Sequence, residues 1–249
     1  MMSPVRVEHP DEGLCLITID RADARNALND LAYAQLIAAL DDAEADHGVR
    51  VIVVTGAHGH FTAGNDLADF QAMPADAQSV PGIRFLARLN RLEKPILAAV
   101  EGIAVGIGLT MLLHCDLVYA GRSARLRAPF VQLGLTPEGG SSLLLPLLLG
   151  HRRAAEILLC GDWLSAMRAE ALDIVNETTE DGMALERALQ RAAQLAALPP
   201  QALRATRQLM CRARQTTIDE TIMSEERVFL DHARSAEARA AFSSFFQKR

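Results

Sequence analysis

The sequence predicts an α/β protein in which a parallel or mixed sheet is covered by helices. Three observations carry this. The run Val49-Arg50-Val51-Ile52-Val53-Val54-Thr55 is almost continuously β-branched, as expected of a strand buried on both faces. Strand and helix signals alternate up to about residue 182. Beyond that point strand signals vanish and amphipathic helices follow. The chain therefore divides into an α/β core, residues 1–182, and a helical region, residues 183–249, that packs on the core or on a neighbouring subunit.

In order, residues 5–8 and 13–20 read as strands around the turn His9-Pro10-Asp11-Glu12-Gly13. Asn29 is placed to cap a helix running to about Asp46, with Leu31, Leu36, Ile37, Leu40 and Ala43 as its apolar stripe. The strand at 49–55 leads into the loop GAHGHFTAG, a polar stretch to about Val80, and a helix over 82–92 stopped before Pro95. Residues 95–105 read as one apolar strand bent near Gly102. A helix through His114 opens at Gly106-Ile107-Gly108, Leu117 to Ala120 is a further buried strand, and an apolar helix covers 141–149. The tail is expected to hold helices at 183–198, 201–214, 217–232 and from Ser235 through Phe245. Thr217 and Glu220 form a capping box at the third.

Composition excludes several classes. The chain of 249 residues is 50% hydrophobic and 22% charged, with 25 Lys+Arg against 31 Asp+Glu and a net charge of −6. That balance lacks the basic footprint of a nucleic-acid binder. Cys15, Cys115, Cys160 and Cys211 are dispersed, so neither a disulfide framework nor a metal cluster is expected. No stretch reaches the roughly 20 apolar residues of a membrane span, and the N-terminus has no signal core. A cytoplasmic protein is expected.

Chemistry concentrates in three loops. Phe61-Thr62-Ala63-Gly64-Asn65-Asp66-Leu67 and Gly106-Ile107-Gly108 each lead from a strand into a helix and expose backbone N–H groups where a ligand can approach. The second is not a P-loop, lacking Gly-Lys-Ser/Thr, nor a dinucleotide fingerprint, since position 111 is Met. Two such loops suit a site that stabilises one developing oxyanion. In the third, Leu135-Thr136-Pro137-Glu138-Gly139-Gly140-Ser141-Ser142, Glu138 is the only carboxylate. From the pattern alone it is either a catalytic acid–base or a charge favouring the following helix N-terminus.

Taken together these segments resemble the crotonase superfamily, the enoyl-CoA hydratase/isomerase family. The resemblance runs through Arg25-Asn26-Ala27-Leu28-Asn29, the 61–67 loop, Lys94-Pro95-Ile96-Leu97-Ala98-Ala99-Val100-Glu101-Gly102, the 106–108 turn, Cys115-Asp116-Leu117, Gly161-Asp162-Trp163-Leu164-Ser165-Ala166 and Val175-Asn176-Glu177. It implies a core of repeated ββα turns with a C-terminal helical trimerisation region, as a homotrimer or dimer of trimers. It implies an acyl-CoA thioester as substrate, with no further cofactor, and a place in fatty-acid β-oxidation. The family's oxyanion hole maps onto the backbone N–H groups of Asn65 and Ile107. Arg25, Ala27, Ala63, Asp66 and Leu67 would line the adenine and pantetheine path, with Gly106, Thr110 and Phe130 at the acyl end. Phe245 and Lys248 would contribute to a CoA pocket, and the 71–82 segment to acyl-chain length.

Hydratases of the family use two glutamates; their positions here hold Thr110 and Phe130, which have no carboxylate. What remains, Glu138 in Thr136-Pro137-Glu138-Gly139-Gly140, resembles the Δ3,Δ2-enoyl-CoA isomerase branch, where a single glutamate is the base. Glu138 is expected to be ionised in the free protein, walled by Phe130 and the leucines of LLLPLLL. Other crotonase reactions (hydratase, dehalogenase, thioesterase) and a silent acyl-CoA-binding domain are the alternatives. His58 and His60 lack a third metal ligand, and the side chains of His114-Cys115-Asp116 point apart. Ser141 and Ser142 read as helix caps, and Asp69 as a solvated helix residue.

Overall fold

The apolar runs assemble into two sheets packed with helices. The computed structural model describes residues 3–72 and 79–247, with the side chains of 70–72 and 245–247 left aside. Its strands are β1 (Val5–Glu8), β2 (Leu14–Ile19), β3 (Val51–Gly56), β4 (Ile96–Val100), β5 (Ile103–Val105), β6 (Leu117–Gly121), β7 (Arg125–Arg127), β8 (Leu164–Ser165) and β9 (Glu177–Thr179). Its helices are α1 (Asp30–Ala45), α2 (Leu67–Ala72), α3 (Pro81–Asn90), α4 (Ile107–Thr110), α5 (Ser141–Leu149), α6 (His151–Ala155), α7 (Ala166–Glu170), α8 (Ala184–Ala196), α9 (Pro200–Ala233) and α10 (Ala236–Gln247).

The larger sheet has the order β1-β2-β3-β4-β6-β9, parallel except for the antiparallel β1–β2 pair; the smaller is β5-β7-β8. The expected bent strand at 95–105 is two strands in different sheets. Gly102, at φ +60°, makes the corner, and a Cβ there would stand 2.2 Å from the Gly59 carbonyl oxygen. Strand pairs β4–β5 and β6–β7 step from one sheet to the other in the same way, and α4 follows β5. This is the repeated ββα turn of the crotonase fold.

The sheet is covered on both faces. Ala184, Ala188, Ala192 and Ala196 form one small-residue face of α8, which lies on Leu14, Val51, Val53, Leu97 and Tyr119. The opposite face packs under α1 and α3. Asn29 caps α1 as expected, accepting the Ala32 N–H at 3.0 Å. The stripe of α1 is offset, however: Tyr33 and Ala32 are buried while Leu31 is exposed.

The helical region holds one helix fewer than expected. Residues 201–214 and 217–232 belong to a single 34-residue α9. Between 201 and 233 there is no glycine or proline to interrupt the i→i−4 ladder, so Thr217 never takes the extended backbone of a cap. Helix α9 packs against α3 and α5, burying Ile218, Ile222 and Phe229. Strands β7 to β9 have two or three residues each, too short to leave a periodic signal. No described helix is long and apolar enough to cross a membrane.

One residue of the 25–29 motif is a fold determinant. Asn26 is fully buried at φ +60°. Its side-chain amide donates to the carbonyls of Ala57 (2.8 Å) and His60 (2.7 Å) and its Oδ1 accepts the Arg21 N–H at 2.8 Å. Asn26→Ala would strand three partly buried backbone groups and should lower stability by about 2–4 kcal/mol, read by urea unfolding.

Candidate active site

Register brings the two predicted amides together. Thr62 and Ala104 form a parallel bridge, with the Thr62 N–H donating to Ile103 and the Val105 N–H to Thr62. Three residues further along each segment stand Asn65 and Ile107, which therefore lie side by side. Gly64, at φ +92°, lets the first segment press against the second: a Cβ there would stand 2.6 Å from the Val105 carbonyl oxygen. The neighbouring amides are spent on the fold, Asp66 donating to Leu28 (2.9 Å) and Gly106 to Arg127 (2.8 Å). Asn65 and Ile107 N–H have no acceptor among the hydrogen bonds of the described residues, and Ile107 opens α4, where the helix leaves its first N–H groups free.

Around these amides the side chains converge. A methyl placed on Gly82 would stand 3.0 Å from Ile107 Cδ1 and from the Tyr33 hydroxyl, and 3.1 Å from Asn65 Oδ1. The Tyr33 hydroxyl donates to Asn65 Oδ1. This orients the Asn65 amide nitrogen toward Glu138.

Glu138 is wholly buried, and neither carboxylate oxygen has a hydrogen-bond partner. Burial is the main cause that pushes its pKa up to about 8; the Glu225 carboxylate adds to this. The Asn65 side chain works in the opposite direction, approaching without completing a bond of good geometry. The expectation of an ionised Glu138 in the free protein is therefore corrected: at pH 7 its acid form predominates, because the pocket offers a charge nothing to bond with.

The Leu28–Asn65 bridge brings segments 25–28 and 63–67 together, so Arg25, Ala27, Ala63, Asp66 and Leu67 share one surface. Arg25 is exposed and its carbonyl accepts the Ala63 N–H at 3.0 Å. The Asp66 carboxylate lies 3.2 Å from the Arg21 guanidinium, whose other bond is to the Ala27 carbonyl. Thr110 is fully buried and its hydroxyl donates to the Ile107 carbonyl at 3.4 Å. Phe130 is buried. Of LLLPLLL, Leu144, Leu145 and Leu149 face inward while Leu147 and Leu148 are exposed. The Phe245 side chain, Lys248 and residues 73–78 of the 71–82 segment lie outside the described residues.

Ser141 and Ser142 do not cap α5. The N-cap is Gly140, with no side-chain cap, and the capping acceptor is Glu225 of α9. Sequence reading also passed over Tyr33 and Gly82, which carry no local signal beyond their helices. Asp69 accepts the Asp30 N–H at 3.1 Å at the start of α1. His58 pairs with Asp20, and no group of three metal-ligating side chains occurs among the described residues. His114 and Asp116 diverge, the first to the Gly139 carbonyl and the second to Arg207.

Comparison with known proteins gives this geometry a context. The family model described as enoyl-CoA hydratase/isomerase matches residues 9–249. The chain is 34% identical to the 1,2-epoxyphenylacetyl-CoA isomerase of Escherichia coli, over 98% of this chain and 95% of that protein. It is 33% identical to the 2,3-dehydroadipyl-CoA hydratase of the same organism, over 94% and 92%. The solved structure of Pseudomonas aeruginosa OdaA superposes with a TM-score of 0.94 at 43% identity, covering 98% of this chain and 99% of that one.

Proposed function

The chain belongs to the enoyl-CoA hydratase/isomerase family, and we propose that within it this protein moves the double bond of a 3-enoyl-CoA into conjugation with the thioester. The observation that carries the reading is a single partnerless carboxylate, Glu138, buried beside two free main-chain amides. The other nearby acid, Glu225, is occupied by N–H groups of α5 and is no second catalyst. Thr110 and Phe130, where the family's hydratases hold glutamates, supply no water-activating carboxylate.

One carboxylate suffices for this reaction. Ionised Glu138 takes a proton from C2, and the electron pair delocalises into a dienolate with its charge on the thioester oxygen. The N–H groups of Asn65 and Ile107 donate to that oxygen; one such donor is worth roughly 3–4 kcal/mol of barrier. Glu138, now protonated, delivers the proton to C4, leaving the C2=C3 double bond. Phe130 and the buried leucines keep water from the intermediate. The CoA moiety lies along segments 25–28 and 63–67, with Phe245 and Lys248 completing its pocket. The protein works in the cytoplasm as a homotrimer or dimer of trimers built on the helical tail, a reading supported by exposed Leu209, Met210 and Met223 on α9.

The test pairs 3-hexenoyl-CoA with crotonyl-CoA. The expected result is conjugation of the first and no hydration of the second; hydration at a comparable rate, or turnover of neither, overturns the reading. Because the base must be ionised, kcat/KM for isomerisation should rise with pH and level off above an apparent pKa of about 8. A profile flat from pH 6 to 9 would remove Glu138 from the role.

A further inference from the structure

The turn that carries Glu138 is held by two buried side chains, His114 and Glu225, that bond to the residues following it. On one side His114, at the end of the helical segment that Ile107 opens, donates from Nε2 to the Gly139 carbonyl at 2.7 Å. Burial pushes its pKa down to about 4, so it is neutral and can serve as this donor. The oxyanion segment and the base-bearing turn are thereby tied together.

On the other side stands Glu225 of α9. Its Oε2 accepts the Gly140 N–H at 2.5 Å, and its Oε1 accepts the Ser142 N–H at 2.9 Å and the Ser142 hydroxyl at 2.5 Å. Helix α5 has glycine at its N-cap and so no cap of its own; the acceptor comes from a residue 85 positions away. A carboxylate is favoured at a helix N-terminus, but a surface residue would serve that need. Glu225 is buried, and its carboxylate bonds to Gly140 and Ser142, two and four residues after Glu138.

We propose that Glu225 is a positioning residue for Glu138, fixing the turn 139–142 from behind and presenting a second negative charge to the base. The inference rests on Glu138 as the proton shuttle. Burial pushes the Glu225 carboxyl up while its bonds to Ser142 and Gly140 pull it down; its charge opposes ionisation of Glu138, which adds to the effect of burial. The groups facing Glu138 are Tyr33 from α1, the Asn65 side chain and Glu225 from α9; His114 reaches the same turn in its neutral form. Among the described residues no cation pairs with either carboxylate, so no counter-charge offsets their repulsion once Glu138 ionises.

The experiment is the pH profile of isomerisation for Glu225→Gln and Glu225→Asp beside wild type. Glutamine removes the charge and turns an N–H donor toward the α5 amides. The expected result is a kcat lower by about 10- to 100-fold, KM for the thioester little changed, and the acid limb of kcat/KM displaced to lower pH. Aspartate keeps the charge but falls short of the turn, so kcat should drop with the limb still near the wild-type value. A role confined to holding the fold would lower the melting temperature and leave both limb and kcat of the folded fraction at wild-type values; that outcome overturns the proposal. Should Glu225→Gln fail to fold, an undiminished kcat in Glu225→Asp overturns it alone. Glu138→Gln in the same assay separates the two readings. If it retains turnover, the isomerase reading fails; if it abolishes turnover while the Glu225 variants match wild type, only the present inference fails.

Discussion

Glu138→Gln should lower isomerisation of a 3-enoyl-CoA by about 10³-fold while leaving affinity for the thioester close to wild type. The two carboxamide and carboxyl groups are nearly isosteric, so Asn65, Ile107 and the turn at 139–142 keep their places. Loss of a general base ordinarily removes 10²–10⁴ of rate. Here the same group also returns the proton to C4, so one substitution removes both transfers. The carboxylates that could stand in are committed: Glu225 accepts three hydrogen bonds from Gly140 and Ser142, and Asp69 accepts the Asp30 N–H. What survives is the oxyanion pair, which still binds and polarises the thioester carbonyl. Steady-state rates with 3-hexenoyl-CoA, set beside calorimetric binding of a saturated acyl-CoA, separate the two effects. Residual turnover within tenfold of wild type, or an equal loss of binding, would refute the assignment.

Much of the fold around this site is legible in the residues themselves. The Asn29 cap, the β-branched 49–55 strand, the glycine-rich turn at 106 and the lone acid between Pro137 and Gly139 are all local signals, and local signals survive folding. The juxtaposition of Asn65 with Ile107 was legible only through resemblance, because it depends on a parallel register between segments that periodicity treats separately. Glu225 was invisible for a stronger reason. In sequence it is one polar residue in the middle of an amphipathic helix, and its partners lie 83 and 85 positions earlier. The same helix reads as two because Thr217 and Glu220 imitate a capping box; a cap forms only where the backbone leaves the helix, and nothing between 201 and 233 makes it do so. The electrostatic state of Glu138 is hidden likewise, since the amino-acid order shows an acid but not the absence of anything to solvate it.

That absence has a thermodynamic signature as large as the catalytic one. Glu138 has a folded pKa of about 8 against an ordinary value of 4.5. Between those values the folded protein holds a proton that the unfolded chain has released, so stability declines as pH rises. The contribution is fully present below about 4.5 and lost progressively up to about 8, in the opposite sense to a salt-bridged carboxylate. One pKa unit corresponds to about 1.4 kcal/mol, so the deficit is roughly 3 kcal/mol at pH 7 and roughly 5 kcal/mol at pH 9. Glutamine does not titrate and escapes it. Whatever constant offset its buried amide introduces, the stability of Glu138→Gln relative to wild type should climb by these amounts from pH 4 to pH 9. With about 2–4 °C per kcal/mol for a chain of this size, the gap in melting temperature should widen by roughly 10 °C or more across the range. A gap that stays constant with pH would mean that Glu138 meets solvent or a counter-charge in the folded state, and its basicity would then need another source. A gap that widens would show that the fold carries an unsolvated carboxylate at a measurable stability deficit, which only a reaction needing a strong base in a dry pocket would retain.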